Sequence, residues 1–384
     1  MERLLLSASR YPGIDMPHAV EQIAARRHIR EKLPSWYANP RLVFPSKIAA
    51  EQCSSECTAA YKQQLVEETE HVCDLTGGLG IDSYYLSRKA GQLTYVERSP
   101  AYCKAARHNF TCLRANNIEV KEGKAEEILP ALPRVDVFYI DPARRGEGNR
   151  RVFALNECEP DLAKLLPELW KYAPKVIAKL SPMADISRTL ELLPAATGIH
   201  VLAVRNDCKE LLFVLEREAA AASPAVYCTN FTTGSAESFA FNRQEERDMQ
   251  IAFAPQVQAY LYEPNVSIMK AGAFKSITRL GVNKLHLNSH CYTSDALVEN
   301  FPGRVFQVDG VIPFSSKSCK SLAKAIPQAN ITARNFPLTA GELRKRTQIA
   351  DGGDVYLFAT TLSDGEKILA VCRKALSLPK KVES

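Results

Sequence analysis

The chain has eleven cysteines but no CxxC pair, and no Cys/His cluster at zinc spacing. That excludes zinc-ribbon and finger modules, and no metal is expected. Cys53 and Cys57 are one helical turn apart with no second pair beside them, so reduced thiols of a cytoplasmic protein are the plain reading. No apolar run approaches the roughly 18 residues of a membrane span. The apolar stretch Leu4–Leu6 is too short for a signal peptide. Internal repeats and low-complexity tracts are also missing, which argues against a repeat architecture.

What is present is an ordinary globular composition, 46% hydrophobic and 24% charged over 384 residues, enough for two or three domains with separate cores. The net charge of +6 is unevenly spread, with +1 over residues 1–218 and +5 over residues 219–384. A modestly basic C-terminal part is compatible with a polyanionic partner.

Residues 1–70 read as a helical segment. Val20–Leu33 has apolar residues at helical spacing, prolines 34, 40 and 45 break the pattern, and Ser46 is a candidate N-cap for one helix over Lys47–Leu65. This segment is too small for a core of its own and must pack on the neighbouring stretch of chain. Over residues 71–218 strand-like runs alternate with helical ones. The strands are Val72–Leu75, Leu93–Val96, Ile118–Lys121, Val135–Ile140, Val176–Leu180, His200–Val204 and Leu211–Leu215; among the helices are Pro100–Asn116 and Glu159–Tyr172. Such alternation predicts an α/β fold, a Rossmann-like, mainly parallel seven-stranded sheet. Too few residues separate the last two strands for a crossover, so they must form an antiparallel hairpin. Ala219–Pro224 reads as a linker to a second α/β region, divided at 225–280 and 281–376, with helices expected over Pro264–Ile277, Ser316–Ile326 and Thr339–Arg346.

Chemistry-bearing residues cluster at the strand ends. The first strand runs into Asp74-Leu-Thr-Gly-Gly-Leu-Gly80, a glycine turn that brings backbone N–H groups close to a ligand. Gly78-x-Gly80 is followed by Ser83 where a dinucleotide fingerprint needs glycine, so NAD is disfavoured. Glu97, 23 residues after Asp74, closes the second strand. A carboxylate there can take both ribose hydroxyls of an adenosine-containing ligand, or merely cap the helix starting near Pro100. The fourth strand ends Asp141-Pro-Ala-Arg144-Arg145, with Arg150 and Arg151 just beyond. This basic loop is either a solvated surface or a set of substrate contacts.

The DxxGGxG turn, the acidic end of the second strand, the Asp-Pro after the fourth and the terminal hairpin resemble a class I S-adenosylmethionine (SAM)-dependent methyltransferase over about residues 72–217. The whole chain is similar to a bacterial group of such methyltransferases with a THUMP-like C-terminal domain. The strings that carry this are Glu51-Gln-Cys-Ser-Ser-Glu-Cys-Thr-Ala-Ala-Tyr-Lys62, Asp141-Pro-Ala-Arg-Arg, Ala259-Tyr-Leu-Tyr-Glu-Pro-Asn265 and Ile331-Thr-Ala-Arg-Asn-Phe-Pro337. The resemblance implies SAM as cofactor and a base in structured RNA (tRNA or rRNA) as substrate, with no obligate protein partner. It implies Asp74, Thr76, Gly78, Gly80, Glu97, Lys124 and Ala125 as cofactor-binding residues, and Asp141 and Arg144 as catalytic ones. Gln52, Ser55 and Thr58 would close over the cofactor or else be ordinary helix surface. Substrate contacts would come from Arg145, Arg150 and Arg151, and from Arg344, Lys345 and Arg346 in the C-terminal domain.

The chain departs from the family pattern in several places. Thr76 replaces the first glycine of the turn. Gly123-Lys124-Ala125 replaces the usual acidic adenine contact, leaving backbone atoms of Lys124 and Ala125, or Glu126. Asp141-Pro-Ala-Arg144 lacks the second proline and the aromatic that stacks on a flipped base. Lys179-Leu-Ser-Pro-Met offers no nucleophilic cysteine, which argues against 5-methyluridine chemistry. The competing readings are a small-molecule or protein methyltransferase, and a non-catalytic SAM- or RNA-binding protein with a degenerate fold.

Overall fold

A computed structural model of the chain describes residues 11–144, 158–218 and 223–375. They form two compact units: one runs to Ile199 and resumes at Glu210, the other takes His200–Lys209 and everything from Ser223.

The first unit opens with α1 (Met16–Ile29), whose first turn is capped by Asp15, and α2 (Pro34–Ala38). The single helix expected over Lys47–Leu65 is two, α3 (Lys47–Gln52) and α4 (Glu56–Lys62). Ser46 caps α3 as its sequence suggests, accepting from Ala49 N at 3.0 Å. Ser55 then turns extended, and its hydroxyl accepts from Thr58 N to start a second helix. A serine side chain that bonds nearby backbone competes with helix continuation, and that breaks the run. As the sequence requires, these helices have no separate core: Ile29, Leu33, Trp36 and Phe44 cluster with Leu79, Ile81 and Tyr85 of the adjoining segment.

The sheet elements are β1 (His71–Asp74), α5 (Ile81–Ser87), β2 (Gln92–Glu97), α6 (Pro100–Cys112), β3 (Ile118–Glu122), α7 (Ala125–Ile128) and β4 (Val137–Ile140). A short antiparallel pair follows, β5 (Ala143–Arg144) with β6 (Cys158–Glu159). Next come α8 (Leu162–Leu169), β7 (Lys175–Leu180), α9 (Ile186–Leu192), β8 (Ala196–Val204) and β9 (Asp207–Glu216). Helix α8 starts three residues later than Glu159, because Pro160 intervenes and Asp161 takes the cap. The strands order β3-β2-β1-β4-β7-β9-β8. β1, β2, β3, β4 and β7 pair in parallel, and β9 runs antiparallel to β7. The chain winds outward in opposite directions from β1 and β4, so the crevice at their carboxyl ends is the topological switch point.

In the second unit, β10 (Ala225–Thr232) pairs with β11 (Ser235–Asn242), a strand the sequence reading did not include, followed by α10 (Arg243–Asp248). Then come β12 (Tyr260–Pro264), α11 (Val266–Ala271), β13 (Asn283–Lys284), β14 (Tyr292–Ser294), β15 (Gly303–Pro313), α12 (Ser316–Ala325), β16 (Asn330–Arg334), α13 (Ala340–Thr347), β17 (Val355–Thr361) and β18 (Lys367–Lys374). Seven of these strands order β13-β14-β12-β15-β18-β17-β16, with α12 and α13 packed over one core. The helix expected over Pro264–Ile277 is shorter at both ends: Pro264 closes β12, Asn265 caps α11, and the helix stops at Gly272. No helix among the described residues is long and apolar enough to cross a membrane.

Candidate active site

The turn after β1 is built around Asp74, which is fully buried. Its Oδ1 accepts from Thr76 N at 2.9 Å and its Oδ2 from the Ser83 hydroxyl at 2.5 Å. Burial raises this carboxyl to about 7, against the pull of those two hydrogen bonds. Asp74 therefore lies beneath the glycine turn, and its contacts are with the turn itself. Two glycines let the backbone sit this close to the sheet. A Cβ on Gly77 would lie 2.2 Å from the Tyr95 ring, and one on Gly80 (φ +82°) 2.8 Å from Phe110.

Glu97 is half-buried at the mouth of the turn, its Oε2 accepting from Gly78 N at 3.0 Å. Its Oε1 accepts from Ser99 N at 2.8 Å, so the helix-entry role weighed for it is present as well. Each oxygen keeps a lone pair with which it could accept a further hydrogen bond. Gly123 N donates to Glu97 O at 3.0 Å, which sets Lys124 and Ala125 next to Glu97 at the start of α7. That helix has no side-chain cap on its leading N–H groups. These features fit an adenosine-bearing cofactor: a close-packed glycine turn, an acidic residue at the next strand end and uncapped N–H groups one strand further on.

Asp141, just past β4, is held from two sides. Its N–H donates to the Thr76 hydroxyl at 2.7 Å, and its Oδ2 is ion-paired with Lys179. Thr76 thus does what a glycine could not: it ties the first turn to the Asp-Pro segment. Behind Asp141 is a network that sequence reasoning missed. Lys179 also lies 3.2 Å from the Ser54 hydroxyl and 3.5 Å from Asp82. Asp82 accepts from Lys62 at 2.9 Å, from Tyr139 at 2.8 Å and from Ser54 at 2.8 Å. Lys62, fully buried, pairs with Glu210 at 2.6 Å. Burial alone would raise the Asp82 carboxyl, but Lys62 and Lys179 outweigh it and hold the group well below the usual carboxylate range. For Lys179 burial works to lower the ammonium, and Asp141, Asp82 and Glu210 reverse that and raise it. One sequence signal was available, since Lys179 sits inside the apolar run of β7 and a charge there needs partners.

The remaining expected residues fall elsewhere. Ser55 and Thr58 bond each other at 3.0 Å, with Thr58 buried, while Gln52 is exposed. Arg144 stands in β5, and Arg145, Arg150 and Arg151 lie outside the described residues. Arg344 donates to Asp351 at 2.6 Å and Arg346 to the Ser316 hydroxyl at 2.9 Å while lying over the Phe314 ring. Lys345 is exposed.

The strand order, the antiparallel last hairpin and the glycine turn at the switch point define a class I methyltransferase fold. The crystal structure of a candidate methyltransferase from Porphyromonas gingivalis W83 is 41% identical, covers 94% of this chain and 91% of that one, and superposes with a TM-score of 0.86. The chain belongs to the family of that protein, methyltransferase-fold chains with a THUMP-like C-terminal domain. Residues 260–302 match a family described as a ferredoxin-like domain, and residues 303–374 one described as THUMP domain-like. A precorrin-6y C5,15-methyltransferase from Geobacter metallireducens GS-15 is similar at 16% identity over 43% of this chain and 87% of that one, with a TM-score of 0.31. A candidate RNA methyltransferase from Pyrococcus horikoshii stands at 15% identity, 42% and 83% coverage, and a TM-score of 0.31. No curated protein matches the chain.

Proposed function

We propose that the chain is a SAM-dependent methyltransferase that modifies a base in structured RNA, a tRNA or an rRNA. The observation that carries this is the fixing of Asp141 at the switch point by Thr76 and Lys179, and the THUMP-like match of residues 303–374 favours RNA as substrate. When bound, SAM supplies a methyl group already activated by its sulfonium. The chain's own task is then to bind, align and exclude water. Glu97 would hold the ribose hydroxyls, and the backbone at Gly78, Lys124 and Ala125 would contact the rest of the nucleoside. With Lys179 on Oδ2, Asp141 Oδ1 has no partner among the described residues and would accept a hydrogen bond from the incoming nucleophile and aim it.

Calorimetry and label transfer test this together. Glu97→Ala should weaken SAM binding about ten- to hundredfold, for the loss of about 1.5–3 kcal/mol of charge-assisted hydrogen bonding. Asp141→Ala should bind SAM nearly as well as wild type and lose transfer of labelled methyl into total RNA. Label entering a protein or metabolite extract and not RNA would replace the substrate reading. Wild-type SAM affinity in a folded Glu97→Ala would refute the cofactor assignment.

A further inference from the structure

Two of the strings that set this chain apart in sequence, Ala259–Asn265 and Ile331–Pro337, meet at one carboxylate. Glu263 in β12 is 8% exposed and is gripped by two arginines that are each 45% exposed. Arg304, its cross-strand partner in β15, donates from Nε at 2.8 Å and from Nη2, both to Oε2. Arg334 at the end of β16 donates from Nε at 3.0 Å and Nη2 at 2.6 Å, both to Oε1.

Each guanidinium thus spends its Nε edge on Glu263; Arg334 Nη1 has only a long contact of 3.5 Å to the Ala333 carbonyl, and Arg304 Nη1 has no hydrogen bond among the described residues. Two positive charges on one negative leave a surplus of +1, held stiffly because the carboxylate is buried. Arg334 lines a cleft of about 430 Å³ along Ile331–Ala340, with Thr332, Asn335 and Thr339 as further polar lining. The surroundings carry the same sign: burial first, then Lys284 and Arg334, keeps His290 below its ordinary value. A planar fork with a free edge matches the two oxygens of a phosphodiester, which a lysine cannot do.

We infer that Arg304 and Arg334, braced on Glu263, form a phosphate clamp that seats the RNA backbone along this cleft. The inference rests on the RNA reading proposed for the chain and gives its docking contact. It moves that contact away from α13, where Arg344 and Arg346 are engaged within the unit.

The test is binding of an unmodified tRNA transcript to the full chain across a salt titration, read by fluorescence anisotropy. Arg304→Gln leaves the Arg334–Glu263 pair in place and should lower the salt slope by about 0.7–0.9, one phosphate contact. The neutral triple variant Glu263→Gln/Arg304→Gln/Arg334→Gln strands no buried charge, and should bind about tenfold or more weakly at low salt with roughly twice that loss of slope. SAM affinity should stay unchanged in both. If wild type binds the tRNA and both variants match its affinity and slope, the clamp is refuted while RNA binding stands. If wild type binds no tRNA at low salt, the RNA reading fails and the clamp with it.

Discussion

Each unit contains a cluster of ion pairs, and the two differ in almost every physical respect. In the first unit Lys62 and Lys179 bridge Asp82, Glu210 and Asp141, with side chains 0–12% exposed except for Asp141 at 38%. In the second, two arginines 45% exposed fork on one buried glutamate. The first cluster has three carboxylates to two ammoniums and a surplus of negative charge, the second a surplus of positive charge. Lysine is a compact point charge that can serve several carboxylates at once, whereas arginine is a planar fork with edges to spare. The lysine cluster therefore suits a dry interior that must hold one acceptor in place, and the arginine cluster suits recognition at a surface.

The largest expected effect comes from breaking the first cluster at its most buried member. Lys62→Met strands Asp82 and Glu210 without their shared cation, which should cost about 3–5 kcal/mol of unfolding free energy. Arg304→Gln leaves Glu263 one partner and acts on a group nearly half exposed, so screening should limit its cost to about 1 kcal/mol or less. Urea unfolding of both variants measures the contrast. A Lys62→Met variant no less stable than Arg304→Gln would erase it.

The two clusters were also unequally legible in the sequence. The seven strands of the first unit's main sheet could be read to within about four residues at each end, because polar turns bound each apolar run, while the short pair β5 and β6 was not read. The helix break at Ser54–Ser55 was not, since the apolar spacing of Lys47–Leu65 continues across it and only two adjacent serines mark it. That break is what turns Ser54 inward to Lys62, Asp82 and Lys179. Asp82 lies in the first turn of α5, just past the glycine turn, and Lys179 in a strand, but residues 97 positions apart in sequence are joined only by the sheet. The second unit gave up its strings and not their meaning, as Glu263 and Arg334 meet through the pairing of β12, β15, β18, β17 and β16. Strand β11 escaped because its apolar residues, Ala236 and Phe239 to Phe241, do not alternate with polar ones, and its place is set by register with β10.

A second prediction sharpens what burial does in the first unit by comparing two of its carboxyls. Asp74 has no cation, and burial raises it to about 7; Asp82 has two, and is held low. An unfolded aspartate titrates near 3.9, so between about pH 4 and 7 folded Asp74 keeps a proton that the unfolded chain has lost. Its contribution is complete below about pH 4 and falls as pH rises through 7. The Asp82 contribution has the opposite sign, present at neutral pH and lost only in strong acid. Asparagine can keep an acceptor for Thr76 N without the charge. Asp74→Asn should therefore gain on wild type by roughly 2–4 kcal/mol between pH 4 and pH 8. Urea unfolding at the two pH values decides it, and a difference that does not move with pH would show that Asp74 is not the group titrating.

The smallest effects are expected on α13, and they test whether a basic cluster on a helix is one thing or several. Arg344 lies in the last turn, with its guanidinium on Asp351 and within 3.4 Å of the carbonyls of Ala329 and Ile349, so it ties the helix end to the segments beside it. Lys345 is exposed and has no hydrogen bond or ion pair among the described residues. Arg344→Ala should cost about 1 kcal/mol, the scale of a partly screened charged contact together with a favourable charge at a helix C-terminus. Lys345→Ala should change stability by less than about 0.5 kcal/mol. In tRNA binding the order should reverse, because only the free lysine can meet a phosphate without giving up an internal partner. Lys345→Ala should trim the salt slope slightly, and by less than Arg304→Gln does. If Arg344→Ala instead leaves stability untouched and flattens the slope as much as the clamp variants, the docking charge lies on α13, and the division between structural and recognition arginines in this unit would have to be redrawn.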